Sequence, residues 1–496
     1  MDIKQLYALY REHPCITTDS RDCPEGSIFL ALKGENFNGN NFALQALQKG
    51  CAYAIVDEEI TGFGDSIPAN QNNESTISPA DTANKTKVIK PLTINSKLIK
   101  VDDCLQTLKL LAREHRRQFS IPVIAITGTN GKTTTKELVK AVLSEKYNVL
   151  ATEGNFNNDV GVPKTLLRLR PEHEIAIIEM GASHPGDIKT LVETAEPTCG
   201  LITNVGRAHL QGFGSFEGVV KTKGELYDYL RQREDGLVFI NADNDYLMDM
   251  LTDDMWCTPY STDLEKQYSC ISGELLPPVS DPCQVSGPVS NPCQVSGQTP
   301  MLRFRWRRPL MELEATGASQ KWHKVQTNLV GAYNLENALA AIAVGINFGV
   351  DRKQICHALE TYQPTNSRSQ LVQTATNRLV IDAYNANPSS MMAAIENFLL
   401  MEPAKGQQKM AILGDMLELG GASLEEHQKI VDMLETAGME SVWIVGHEFA
   451  ATHTNYRKFG DVEEVKAEIQ AHSPEGRLIL IKGSNGTRLH QLPPLL

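Results

Sequence analysis

At 496 residues the chain is too long for one ordinary core and implies about three domains, and its 41% hydrophobic and 22% charged residues are those of a soluble globular enzyme. A net charge of −13 argues against a nucleic-acid partner, whose phosphates are bound chiefly by surplus Lys and Arg, and points to small molecules instead. Ten cysteines without a C-x-x-C pair fit reduced thiols better than a disulfide framework or zinc site; no apolar run approaches the roughly 18 residues of a membrane span, and MDIKQLYALYREH lacks the apolar core of a signal peptide, which places the protein in the cytoplasm.

Apolar runs at Ser27–Leu32 and Ala52–Val56 flank a helix-like stretch, Phe42–Gln48, and predict a small α/β unit. Thr61–Thr86 is poor in apolar residues and predicts a solvated surface loop. Lys97–Phe119 reads as a helix, amphipathic through Leu105, Leu108, Leu111 and His115. It leads into the most informative segment, VIAITGTNGKTTTKELVKAVL at 123–143. Val123–Ile126 predicts a buried strand, and the helix that follows turns Leu138, Val139, Val142 and Leu143 inward, with Lys136, Glu137 and Lys140 on its solvent face. Between them Gly128 and Gly131 let backbone N–H groups converge on an anion, Lys132 reaches the outer phosphates, and Thr133 offers a hydroxyl to Mg²⁺. The spacing departs from G-x-x-x-x-G-K-[ST], because Ile126 stands at the first glycine. A bare glycine turn would not unite strand, loop, lysine and helix, so the loop is read as a cradle for ATP or a relative.

Strand and helix then alternate, with strands at Glu174–Glu179, Gly200–Val205 and Leu237–Asn241, which implies a mainly parallel sheet covered on both faces. Ligands of such a sheet sit beyond the carboxyl ends of the strands. Glu179 ends the run IAIIE there, where a Mg²⁺ ligand is wanted, although a capping glutamate would fit the same position. His209, in NVGRAHLQGFG, can ligate a metal through a neutral ring nitrogen. Lys223, in VVKTKGELY, reads from spacing as solvent-exposed; among metal ligands it makes sense only if modified to an anion or if it binds phosphate directly. The loop ATEGNFNNDVGVP, 151–163, offers carboxamides that can line a site without supplying a base.

A decapeptide, PVSDPCQVSG at 278–287, recurs as PVSNPCQVSG at 288–297 and reads as an inert duplicated surface insert. In MLRFRWRRP, Phe304 and Trp306 alternate with Arg303, Arg305 and Arg307, the pattern of an edge strand with a solvated face. An alanine-rich helix spans Asn334–Asn347. The last α/β series has strands at Leu379–Ile381, Met410–Leu413, Val442–Val445 and Leu478–Ile481, and helices at Ser389–Met401, Leu424–Ala437 and Val462–Ala471. It is of dinucleotide type but lacks G-x-G-x-x-G, so no nicotinamide cofactor is indicated. DAYNANPSS, 382–390, ends a strand and opens a helix with Pro388 near its first position.

TGTNGKTTTKE, the TEGNFNN loop, EMGA, NVGRAHLQGFGS, KGELY, NADND, GAYNLENALAA, DAYNANPSSM, ILGDMLELG and IKGSNG, in that order over 123–486, resemble the Mur ligase family of ATP-dependent amide-forming enzymes. TDSR at 18–21 and IFLALKGENFNGNNF at 28–42 are similar to that family's uridine nucleotide domain. The resemblance implies an α/β protein of three domains: a small α/β UDP-sugar domain at 1–103, a central P-loop-type ATP domain at 104–363, and a Rossmann-like ligase domain at 364–496 that closes on ATP. DAYNANP with GDM-x-ELG is most similar to the branch that joins D-alanyl-D-alanine to UDP-N-acetylmuramoyl-tripeptide through an acyl phosphate. Carried over by motif, Gly128, Thr129, Asn130, Gly131, Lys132, Thr133, Thr134, Asn334, Arg368, Asp382 and Asn385 contact ATP. Thr133, Glu179, His209 and a carbamylated Lys223 hold two Mg²⁺ ions, and Ser20, Arg21, Lys33, Gly34, Asn157 and Asn158 contact substrate. The resemblance also implies a monomer without nucleic-acid partners or a membrane span. Two departures stand out: Tyr333 where G-x-H-N is common, and Asn485 where arginine usually follows KGS. Two rivals remain: another amino-acid-adding branch, whose diamino-acid-adding member usually carries a D-N-P-R motif absent here, and a nucleotide-binding regulator without catalysis.

Overall fold

The computed structural model describes residues 2–60, 94–208, 210–266, 268–277, 301–309, 321–364, 368–404 and 406–496. The polar tract 61–86, His209 and the duplicated decapeptide at 278–297 lie outside the described residues. The chain forms two compact units, Met1–Ser120 with Asp159–Leu169, and Ile121–Asn158 with Arg170–Leu496.

In the first unit the described strands Ile16–Thr17, Ile28–Leu30, Tyr53–Val56 and Leu98–Lys100 form a parallel sheet in that order. Ile28, Phe29 and Leu30 are all buried, as a strand covered on both faces requires. The helix expected over 97–119 divides in two steps: Ile99 pairs beside Ile55 as strand, and the helix starts only at Cys104. Asp103 sets that start, its backbone extended and its carboxylate accepting from the Gln106 N–H at 2.7 Å. The helix Cys104–Arg116, with Leu108 and Leu111 buried, lies in the first compact unit and packs against the helices Ile3–Glu12 and Gly161–Leu166.

The second unit holds two larger sheets. The nine described strands of the first run in the order His323–Val330, Met301–Arg307, Ile271–Leu275, Trp256–Ser261, Leu237–Asn241, Cys199–Ile202, Val123–Thr127, Ile175–Glu179 and Val149–Ala151. Met301–Arg307 is antiparallel to both neighbours and the remaining pairs are parallel. The expectation of an edge strand at Met301–Arg307 is therefore corrected. Phe304 and Trp306 are fully buried in the core that the helix Asn334–Asn347 covers, so the strand needs a partner on each side. Its arginines find local partners, with Arg305 Nε donating to Glu274 Oε1 at 2.6 Å and the guanidiniums of Arg305 and Arg307 stacking on Trp322.

The other sheet runs Gln370–Gln373, Arg378–Asp382, Arg477–Lys482, Gln408–Gly414, Val442–Val445 and Arg457–Phe459, parallel except for the first strand. Asp382 pairs in register with Lys482, and Leu413 with Lys482 on the other side, so three strand ends meet at one carboxyl edge. The architecture is α/β throughout, and among the described residues no helix is long and apolar enough to cross a membrane.

Candidate active site

The phosphate loop lies between the buried strand Val123–Thr127 and the helix Lys132–Ser144, whose Leu138, Val139, Val142 and Leu143 are fully buried. Gly128 and Gly131 adopt φ of 139° and 78°, which a side chain rarely takes. Space forbids one as well, since a Cβ on Gly128 would lie 2.0 Å from Thr203 Oγ1 and one on Gly131 2.5 Å from Asn337 Oδ1. Two strand-end residues pin the loop: Asn130 donates its N–H to Asn204 Oδ1 at 2.9 Å, and Thr203 Oγ1 donates to the Asn130 carbonyl at 2.5 Å. Neither residue is a motif glycine or lysine. Their place just past the strand Cys199–Ile202 is the signal that could have found them.

Lys132 turns its ammonium onto the loop, donating to the carbonyls of Gly128 at 2.8 Å and Thr129 at 3.0 Å. Burial lowers its pKa to about 8, with Arg368 pushing the same way and Glu179 opposing. Glu179, 1% exposed, is the last residue of its strand. Its Oε1 accepts from Thr133 Oγ1 at 3.0 Å and from Asn157 Nδ2 at 2.9 Å. Oε2 is buried and has no hydrogen-bond partner among the described residues. Leaving a carboxylate oxygen dry and unpaired is costly, whereas a hard divalent cation takes oxygen ligands of this kind, so the donor set fits magnesium.

Lys223 is buried, which corrects the expectation of an exposed side chain, and its ammonium lies 5.7 Å from the centre of the Phe213 ring. Burial lowers its pKa to about 7; nearby Lys132 adds to the shift, and Asp187 and Glu225 oppose it. Lys136 is also buried and not on the solvent face: its Nζ donates to the Thr152 carbonyl and meets Glu137, each at 2.7 Å.

Asn334 sits in a buried network, its Nδ2 donating to the Val330 carbonyl at 2.7 Å and Ser369 Oγ at 3.2 Å. The departure at Tyr333 is absorbed there, because its hydroxyl hydrogen-bonds Ser369 Oγ at 3.1 Å. Arg368 lies over the Tyr384 ring at 3.8 Å, with its Nε buried and unpartnered among the described residues. Asp382 accepts from Lys482 Nζ at 2.6 Å, and the Asn385 amide oxygen accepts from the Ala386 N–H at 3.0 Å. Asn387 caps the helix Pro388–Leu400 by accepting from the Ser390 N–H at 2.9 Å, and donates Nδ2 to Asn130 Oδ1 of the phosphate loop at 2.8 Å. Asn485, the other departure, opens a 3₁₀ turn, Asn485–Thr487.

Ser20, Arg21, Lys33 and Gly34 belong to the first unit. Arg21 is exposed and paired with Asp19, the Ser20 carbonyl accepts from Lys49, and Lys33 meets Asp57 at 3.0 Å and Glu58 at 2.9 Å. Gly34 lies in a two-stranded ribbon with Phe37. Asn157 and Asn158 end the second unit's Ile121–Asn158 segment. Taken together, the structure brings Thr133, Glu179 and Asn157 into direct contact, sets Lys132 in the field of Glu179 and Arg368, and sets Lys223 in the field of Lys132.

Three family descriptions match the chain in order: Mur ligase family, catalytic domain, over residues 14–116; Mur ligase middle domain over 126–270; and Mur ligase, glutamate ligase domain, over 367–485. The UDP-N-acetylmuramoyl-tripeptide--D-alanyl-D-alanine ligase of Bacillus subtilis is 31% identical over 488 residues, covering 96% of this chain and 92% of its own. The Escherichia coli ligase of the same name is 32% identical over 484 residues, with 96% and 92% covered. A crystal structure of MurF from Acinetobacter baumannii superposes with a TM-score of 0.74 at 28% identity, covering 96% of this chain and 92% of that one. Likeness of this degree, running almost end to end through a chain built around such a phosphate loop, shows that the chain belongs to the Mur ligase family.

Proposed function

We propose that this protein is an ATP-dependent amide ligase that joins D-alanyl-D-alanine to UDP-N-acetylmuramoyl-tripeptide in peptidoglycan precursor synthesis. One observation carries the reading: identity of 31% and 32%, along nearly the whole chain, to two ligases named for that reaction. The tripeptide carboxylate attacks the γ-phosphorus of ATP, a P–O bond forms, and the bond to the β-phosphate oxygen breaks to release ADP and leave an acyl phosphate. The dipeptide amine then attacks the acyl carbon, and the tetrahedral intermediate expels phosphate as the amine loses its proton to solvent.

Two anions must approach in the first step, so positive charge has to be in place beforehand. Lys132 and the N–H groups of Gly131, Lys132 and Thr133 supply part of it, at the start of the helix Lys132–Ser144. Thr133, Glu179, His209 and Lys223 would hold two magnesium ions, which when bound neutralise charge on the transferred phosphoryl group. A lysine with a pKa of about 7 is partly neutral amine near neutrality, so Lys223 can add to carbon dioxide, forming an N–C bond and losing a proton to become an anionic carbamate. Asn334, Arg368, Asp382 and Asn385 contact the nucleotide as the C-terminal domain closes and excludes water from the acyl phosphate. Ser20, Arg21, Lys33, Gly34, Asn157 and Asn158 contact the UDP-linked substrate. The enzyme works as a cytoplasmic monomer.

The test is phosphate release by the purified protein with ATP, magnesium, UDP-muramoyl-tripeptide and a panel of amines. Release should require the tripeptide substrate and D-alanyl-D-alanine together. Release with a different amine would assign the chain to another branch, and nucleotide binding without release under any combination would make it a non-catalytic relative.

A further inference from the structure

We infer that Thr152 and Lys136 are positioning residues that aim the Glu179 carboxylate, an assignment that rests on Glu179 being a magnesium ligand. The inference comes from a broken rung in the sheet. Val149–Ala151 runs parallel to Ile175–Glu179, and Thr152 continues the ladder by donating its N–H to the Ile177 carbonyl at 3.0 Å. In a parallel ladder the next bond would run from the Glu179 N–H to the Thr152 carbonyl. Here that N–H goes to the Thr152 side chain, Oγ1, at 3.0 Å, and the carbonyl is taken by Lys136 Nζ at 2.7 Å. A hydroxyl and a buried ammonium thus replace one main-chain bond.

The replacement lets the chain leave the sheet after Thr152 and return Asn157 to the carboxylate. Asn157 then donates Nδ2 to Glu179 Oε1 at 2.9 Å and accepts the Gly181 N–H at 2.7 Å. Met180 is held on the other side, its N–H on the Ile126 carbonyl at 2.8 Å and its carbonyl accepting from Thr127 Oγ1 at 2.8 Å. With Oε1 committed to Thr133 and Asn157, Oε2 is the oxygen left over. Lys136 comes from the same helix as Lys132 and Thr133, so that helix reaches Glu179 twice, through Thr133 directly and through Lys136 and Thr152 indirectly. Among the described residues the fully buried Lys136 ammonium meets the Thr152 carbonyl and Glu137, so its burial is tied to this strand end.

The test compares Thr152→Val, which keeps shape but removes the acceptor, with Thr152→Ser, which keeps it. Calorimetry would measure binding of the β,γ-methylene analogue of ATP with magnesium and, separately, with EDTA. Thr152→Val should weaken the magnesium-dependent binding about 10- to 100-fold, the range for groups that orient a metal ligand, while binding in EDTA stays at the wild-type level and Thr152→Ser behaves as wild type. Lys136→Met should show the same selective loss, and serves if the valine variant does not fold. Equal weakening with and without magnesium, equal loss in the serine variant, or wild-type binding by Thr152→Val and Lys136→Met would overturn the inference. Glu179→Gln separates the levels: if it binds the magnesium complex normally, the metal-ligand reading falls and this inference with it, whereas a weakened Glu179→Gln beside intact Thr152 and Lys136 variants removes this inference alone.

Discussion

Around the phosphate loop, Glu179, Lys136 and Lys223 are each at most 3% exposed, while in the first unit the side chain of Arg21 is 89% exposed and that of Lys33 45%. Of the buried charges, Glu179 and Lys136 are held by directional bonds to named partners and burial pushes Lys223 down to about 7; the exposed ones are matched by neighbouring carboxylates, and Lys33 rises to about 12 through its bonds to Glu58 and Asp57. Phosphoryl transfer needs charges already stripped of water, because their fields act strongly only where the dielectric is low. Arg21 and Lys33, proposed above for the UDP-linked substrate, are by contrast solvated side chains whose attraction to their carboxylate partners is weak.

The contrast can be broken at its strongest point first. Lys132→Ala should lower ATP-dependent phosphate release at least about 100-fold, as loss of a transition-state charge contact does, with an unchanged circular dichroism spectrum. Retained turnover would remove the loop from the chemistry. Next comes Asn387→Ser, which keeps a helix cap but loses the amide that reaches Asn130. Its KM for ATP should rise about 5-fold, the worth of one hydrogen bond, at an unchanged melting temperature; a lower melting temperature with normal KM would reduce Asn387 to a cap.

On the exposed side, Arg21→Ala should raise the KM for the UDP-linked substrate only a few-fold and leave kcat alone. The smallest effect belongs to Lys33→Met. Burial raises the Asp57 pKa, but Lys33, Asn40 and the Cys104 N–H together bring it below its usual value. A carboxylate with a depressed folded pKa contributes fully above its unfolded pKa of about 4 and loses that contribution as the pH falls through the folded value. Thermal melts of wild type and Lys33→Met should therefore differ slightly at pH 7 and converge below pH 4; a gap that widens in acid would show that the pair is not what stabilises the strand end.

Elements with strong local signals were legible. Strand, loop and helix at 123–144 share one stretch of chain, and the strands Leu237–Asn241 and Val442–Val445 and the helices Asn334–Asn347 and Val462–Ala471 fall where their periodicity puts them. Burial of lysine was not legible. Lys136 falls on a solvent-like position of its helix, and only the end of a strand sixteen residues on gives it a reason to be inside. The strand Leu98–Lys100 was hidden because three residues carry too little alternation to interrupt a helical period. Trp256–Ser261 contains a proline and Ile271–Leu275 a glycine, residues that weaken a strand signal, and neither segment is among the strands the sequence predicts. In the site, glycines, Lys132 and Glu179 announce themselves, whereas Thr152, Asn204 and Asn337 act through partners far away in sequence.

One side chain answers to two structures at once. Asn387 holds the opening turn of a helix and, with its other amide atom, a residue of the phosphate cradle 257 positions earlier. Ends of helices fray at a cost far below that of global unfolding. Each such fraying event would loosen the cradle by about the worth of one hydrogen bond, so warming should begin to lower affinity for ATP before the protein melts.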